Sequence, residues 1–235
     1  MDLLRGDTDL EALNKELNDP GALVEYMRPY DKYAVSMLPY LLGGFLVWSG
    51  NLVYGREPSY LKFRAVEVIA RVPYHSWASA AYTLLTLCYT NEKKSLQLSN
   101  ISKYASHAQD NETMHVIVVS QLARAEERAG LLRHTLIPMI FAFFYFWWSY
   151  VLYLINPRYS YELNYLFESH AFQQYDRFLE TRGEELKKKS AECEFLTWYG
   201  RYPRNQYELF LSIRNDEIIH RNTSIKEIEV CRASA

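Results

Sequence analysis

Two Glu-x-x-His pairs, Glu112 with His115 and Glu217 with His220, set a carboxylate and an imidazole three residues apart in this 235-residue chain. On a helix that step puts both groups on one face. Glu112 and His115 share theirs with Ala105, Ala108, Val119 and Leu122, and Glu217 and His220 share theirs with Phe210 and Ile213. Glu67 sits among Val66, Val68, Ile69 and Ala70, and Glu168 lies on the face of Ala171, Tyr175 and Phe178. Each helix therefore aims a carboxylate at the side that should be buried. An ionised carboxylate in an apolar interior is costly unless something compensates it, and four neighbours without cations would not be tolerated. A pair of metal ions removes the problem, because carboxylates bridge two ions and each imidazole completes one ion's shell.

The order of one Glu, Glu-x-x-His, one Glu, Glu-x-x-His over four helices is the arrangement of di-iron carboxylate bundles. These hard oxygen and imidazole donors suit iron, and manganese also fits. With 20 glutamates and six histidines, chance placement yields roughly half a Glu-x-x-His, so the pairs alone do not decide the matter. The even gaps of 45, 53 and 49 residues (Glu67 to Glu112, His115 to Glu168, Glu168 to Glu217) add weight. The competing readings are surface Glu–His pairs, or a bundle with buried polar networks.

The elements that must carry these groups read as amphipathic helices. One covers about 60–92 with a kink at Pro73, and one about 98–128, capped by Ser99, Asn100 or Ser102 and ended near Gly130. Two more cover about 159–187 after Pro157 and about 204–228 after Pro203. Two stretches hold no Asp, Glu, Lys or Arg: 33–55, interrupted by Pro39, Gly43, Gly44 and Gly50, and 134–157, which is apolar all round and dense in Phe, Trp and Tyr. Either is long enough for a bilayer, which takes about 20 apolar residues. Aromatics favour the headgroup region, so the second stretch reads as an interfacial helix, a span or a buried core helix.

The net charge is −2, so no basic field exists to hold nucleic acid. Cys88, Cys193 and Cys231 are odd in number and form no Cys-x-x-Cys, which supports neither a disulfide framework nor a thiolate zinc site. Residues 1–29 form an acidic arm, unlike a secretory signal or a presequence, ahead of what reads as one domain over 1–235. The expected setting is a reducing, bacterial-type cytoplasm, or a chain numbered after processing.

At the candidate ligands the sequence resembles the alternative oxidase family of membrane-bound di-iron quinol oxidases, and most of all its plastid terminal oxidase branch. The resemblance runs through Val66-Glu67-Val68-Ile69-Ala70-Arg71-Val72-Pro73-Tyr74, Asn111-Glu112-Thr113-Met114-His115, Glu168-Ser169-His170-Ala171-Phe172-Gln173-Gln174-Tyr175 and Ile213-Arg214-Asn215-Asp216-Glu217-Ile218-Ile219-His220. It covers about residues 30–225 and implies an all-α fold: an antiparallel, ferritin-like four-helix di-iron bundle with additional helices forming a membrane-interfacial face. It implies that Glu67, Glu112, His115, Glu168, Glu217 and His220 ligate two irons, and that Tyr175 is the redox-active tyrosine. A step of seven residues from Glu168 keeps Tyr175 on the ligand face. Asn111, Asp216 and His170 match residues around the ligands. Lys62, Val66, Ala171, Gln174 and Tyr175 match the quinol pocket, although relatives often carry Arg at the position of Lys62.

The implied reaction oxidises two quinols, expected to be plastoquinol, and reduces O₂ to two waters without proton pumping. The expected enzyme is a homodimer in contact with membrane lipid, on the cytoplasmic or stromal-equivalent face of a thylakoid or plasma membrane. The link from Cys193 to Asn205 is short and no regulatory cysteine motif stands near the start, which points to a cyanobacterial-type or viral form. The alternatives are a di-iron hydroxylase or desaturase acting on a membrane lipid or quinone, a ferritin-like iron store, and a membrane scaffold.

Overall fold

The computed structural model describes the backbone of residues 7–126 and 128–233 and the side chains of 10–126 and 128–230, and among these there are helices and no strand. The side chain of Cys231, named above, and those of the first nine residues of the acidic arm lie outside the described residues. In chain order the helices are α1 (Asp7–Glu16), α2 (Pro20–Met27), α3 (Met37–Tyr54), α4 (Tyr60–Ala70), α5 (Val72–Thr86) and α6 (Glu92–Glu126). A π-helical turn, Leu132–Leu136, leads into α7 (Ile137–Ile155), followed by α8 (Pro157–Leu186), α9 (Glu194–Tyr199) and α10 (Gln206–Ala233). The arm expected at 1–29 thus includes two helices. α1 packs on α10.

Four members make the bundle. The α4–α5 rod packs on α6 and α8 packs on α10, both antiparallel. Asn164 meets Ser224 and Asp176 meets Arg214, while His75 meets Gln109 and Glu67 meets His115. Two expected helix boundaries shift for identifiable reasons. The helix expected over 60–92 is broken at Arg71, because Pro73 offers no N–H and its ring crowds the carbonyl of Ile69; Pro73 then sits in the first turn of α5. The next helix begins at Glu92 and not near 98, since the Asn91 side chain accepts from Lys94 N at 3.0 Å and satisfies an N-terminal donor. The π-helical turn is a widened turn beneath Pro138, the residue that would otherwise collide with the carbonyl of His134.

Two apolar cores enclose the middle of the bundle. Phe63, Met114, Phe178 and Phe210 pack on one side, and Tyr74, Trp77, Ala105 and Tyr161 on the other. A fully buried Phe or Met contributes about 1.5–3 kcal/mol, so these cores hold the bundle while its middle is polar. Trp77 keeps its indole N–H satisfied by Ser160 Oγ at 2.7 Å.

α3 and α7 flank this bundle, against α8 and α5 respectively. Gly43 lets α3 approach α8 closely, since a Cβ there would lie 2.8 Å from Leu166 Cδ1. α7 buries Tyr145, Ser149, Leu152 and Tyr153 and exposes Met139, Ile140, Phe143, Phe144 and Trp147. The stretch Leu132–Ile155 is long and apolar enough to cross a membrane, and only 22% of its most apolar window is buried, so the reading of 134–157 as a core helix fails within this chain. On α3, Met37, Tyr40, Leu41, Phe45, Trp48 and Leu52 are exposed as well.

Candidate metal centre

The α4–α5 rod, α6, α8 and α10 bring all six expected ligands together. They form two quartets, Glu67 with Glu112, His115 and Glu217, and Glu112 with Glu168, Glu217 and His220, in each of which the candidate donor atoms lie within 4.8 Å of one another. Glu112 and Glu217 belong to both. That is the geometry of two ion positions with two shared carboxylates, one terminal carboxylate each and one imidazole each. His115 Nδ1 lies 3.3 Å from Glu112 and Glu217 and 3.6 Å from Glu67, while His220 Nδ1 lies 2.8 Å from Glu112.

The donor atoms fit metal ions because most of them face only one another. Both oxygens of Glu112 and of Glu217, Glu67 Oε2, His115 Nδ1 and His220 Nδ1 are buried without an aligned hydrogen-bond partner. Glu162, a buried carboxylate away from the cluster, provides the contrast. It accepts from Tyr33 at 2.9 Å, Ser36 N at 3.0 Å and Arg158 at 2.7 Å. Buried groups left unpaired cost stability unless an ion takes them up.

Other side chains hold the ligands in place. Tyr74 donates to Glu168 Oε1 at 2.7 Å and is itself held by Asn164 at 3.0 Å. Tyr175 donates to Glu67 Oε1, with its ring stacked on Phe63 at 4.1 Å. Asp216 accepts from His115 Nε2 at 2.9 Å, which turns Nδ1 towards the cluster, and also from Asn111 at 3.2 Å, Asn14 at 2.6 Å and Arg201 at 2.9 Å. Arg201 in turn binds Glu11 at 2.7 Å. Asn111 and Asp216 were expected around the ligands. Tyr74, Asn164, Asn14, Glu11 and Arg201 were not, and only Tyr74 stood inside a recognised motif. His170 lines an apolar pocket whose wall also includes Glu67 and Glu168.

That pocket, about 80 Å³, is lined by Lys62, Val66, Ala171, Gln174 and Tyr175, the five residues matched to quinol binding. It lies between α3, α4, α7 and α8 and reaches Glu67 and Glu168. Lys62 is buried and spans the pocket wall, donating to Gln174 at 2.8 Å, Gly55 O at 2.9 Å, Arg56 O at 3.1 Å and Asn51 at 3.2 Å. Gly55, at φ 83°, is the residue that can end α3 here.

In the cluster, burial and neighbouring charges act against each other. Burial lifts Glu67 to about 7 and raises Glu168 and, further, Glu217. Burial also opposes the charge of Glu112, but His115 and His220 overcome it and hold this carboxyl down at about 2. Asp216 is likewise held far below its usual value against burial, by Arg201 and His115. Burial disfavours charge on both histidines, yet Glu112 and its neighbours raise them.

A carboxyl or imidazole whose folded pKa is raised contributes stability below its unfolded value and loses it as pH rises through the folded value. For Glu67 that window runs from 4.5 to about 7. Glu112 and Asp216 lose their contribution only in acid. The metal-free chain is therefore expected to melt at a lower temperature at about pH 8 than at about pH 5. Added Fe²⁺ should restore more stability at the higher pH, because binding releases protons. Calorimetry at the two pH values checks this, and a melting temperature that rises with pH in the absence of metal would contradict it.

Comparison with known proteins places this geometry. Residues 28–227 match the family model described as alternative oxidase. The chain is 28% identical over 188 residues to Ubiquinol oxidase 4, chloroplastic/chromoplastic, of Arabidopsis thaliana, an alignment covering 72% of this chain and 51% of that protein. It thus spans about half the length of the curated relative it matches. No solved structure matches. The match over most of the chain establishes that it belongs to the alternative oxidase family.

Proposed function

We propose that this chain is a membrane-bound di-iron quinol oxidase that oxidises two plastoquinols and reduces one O₂ to two waters, without proton pumping, and that 1–235 acts as one domain. The observation that carries this reading is the meeting of the two-ion cluster with an apolar pocket bordered by the exposed aromatic helices α3 and α7. A lipid-soluble reductant can reach the buried centre along that line. An iron store would need no such surface.

Glu67, Glu112, His115, Glu168, Glu217 and His220 would hold two irons, which when bound would supply the electron-transfer and oxygen chemistry. The protein does the rest. Phe63, Phe178 and Phe210 exclude water beside the cluster. Val66 and Ala171 flank the quinol ring, and Lys62 holds Oε1 of Gln174 so that the Gln174 amide N–H can meet a ring oxygen. At about 80 Å³ the pocket is narrower than usual ligand sites of about 300–1,000 Å³. The ring therefore enters by displacing side chains such as Leu46 and Val47 of α3. Burial, then Glu67, keeps the Tyr175 phenol well above its usual value. Its proton accordingly stays on the oxygen until an electron leaves with it, and Glu67 Oε1 is placed to accept that proton. Asp216 fixes the ring of His115 throughout.

Oxygen uptake by iron-loaded protein tests the proposal, with plastoquinol and ubiquinol compared side by side. The expected result is faster uptake with plastoquinol, two quinols consumed per O₂, and no oxygen atom in the organic product by mass spectrometry. An oxygenated lipid or quinone would instead establish a hydroxylase.

We also assign α3 and α7 to one leaflet, on the cytoplasmic or stromal-equivalent face of a thylakoid or plasma membrane, in a homodimer. Replacing Phe143 and Trp147 by Glu should lower liposome binding by at least ~10-fold, since each desolvated aromatic contributes more than 1.4 kcal/mol. Flotation with vesicles measures it. Binding that is unchanged would remove α7 from the membrane contact.

A further inference from the structure

The six ligands are not equally sealed. Glu112, His115 and Glu217 are 0% exposed, Glu168 1% and Glu67 2%, whereas His220 is 6% exposed. The ring of His220 forms part of the wall of a second cavity, about 480 Å³, bounded by α1, α6, α9 and α10. None of these helices borders the apolar pocket.

The two openings differ in chemistry. The apolar pocket, walled by residues such as Leu46, Ile69 and Phe141, offers a hydrated cation little to replace its water. The larger cavity presents His107, Asp110, Asn111 and Asp216. Asn111 Oδ1 is buried without a hydrogen-bond partner. Among the described residues of the wall the one guanidinium, Arg201, is paired with both Glu11 and Asp216, so it leaves little positive charge to repel a cation. Carboxylate, amide oxygen and imidazole are the groups onto which a divalent ion of this type sheds water stepwise. His220 stands at the inner end, with Nδ1 2.8 Å from Glu112.

We propose that this cavity is the loading route for divalent metal ions, with Asp110 and His107 receiving the hydrated ion and His220 passing it to the cluster. The route rests on the two-ion reading of that cluster, but not on the identity of the reductant.

The test uses the full chain stripped of metal. Fe²⁺ is added under nitrogen, samples are quenched with a chromogenic chelator, and bound metal per chain is read against time. Asp110→Lys and His107→Trp should each slow uptake by ~10-fold, the scale on which a charged cleft changes an on-rate, and should reach the parent's final metal content. Phe141→Trp, in the wall of the apolar pocket, should load at the parent's rate. Asp110 is exposed, so its variant is decisive even if His107→Trp misfolds. Parental uptake by Asp110→Lys, or slowing only in Phe141→Trp, would overturn the route. A parent that binds no metal at all would sink the two-ion reading itself, an outcome distinct from a change in rate.

Discussion

Glu112→Ala is expected to abolish quinol-dependent oxygen uptake, to below ~1% of the parent, and to leave fewer than two irons per chain. Glu112, like Glu217, lies in both quartets and has two oxygens without an aligned hydrogen-bond partner, and it alone stands beside both imidazoles. Its removal strips a donor from each ion position at once. Substituting residues outside a metal's ligand set already costs ~10–100-fold in affinity or activity, so losing a shared ligand must cost more. The metal-free protein should react differently. Without Glu112, His115 and His220 each lose a carboxylate, 3.3 and 2.8 Å away, that favours their charge, while the carboxyl itself leaves an apolar interior, so the variant should change metal-free stability far less than it changes metal content. Metal analysis beside oxygen electrode traces separates the two effects. Full iron content with normal uptake would refute the assignment of this ligand.

Tyr175→Phe should lower turnover by at least ~100-fold with two irons still bound. At 1.36 kcal/mol per tenfold, that is about 2.7 kcal/mol of lost transition-state stabilisation. The substitution keeps the ring stacked on Phe63 and removes only the hydroxyl that donates to Glu67. The stability cost should be only ~1 kcal/mol, the usual net value of one hydrogen bond. A variant that retains iron and melting temperature while losing turnover marks the phenol as a redox participant. One that turns over normally reduces Tyr175 to a packing residue.

The positions of the six candidate ligands were legible because helical spacing is a local code. Three residues from Glu112 to His115, and seven from Glu168 to Tyr175, fix a common face before any tertiary contact is known. The shell around them carries no such code. Arg201 comes from the segment after α9, and Asn14 from an arm that reads only as acidic. Each reaches Asp216 through contacts whose partners no spacing can name. Helix boundaries failed for a related reason. A proline within a helical pattern, such as Pro73, can bend the helix or end it, and local sequence alone does not place the cap at Asn91 ahead of Ser99, Asn100 or Ser102. Composition could not decide the fate of 134–157 either, because only packing against α5 and α8 fixes which strip of α7 is covered.

The hydrogen bond from Asn14 to Asp216 joins residues 202 apart in sequence. During synthesis the segment bearing Asn14 leaves the ribosome long before Asp216, Glu217 and His220 are made. It must stay unengaged until α10 arrives, because its acceptor does not yet exist. A nascent chain that has reached only α8 holds four of the six ligands, without Asp216 to orient His115. Completion of the six-residue cluster is thus tied to completion of α10.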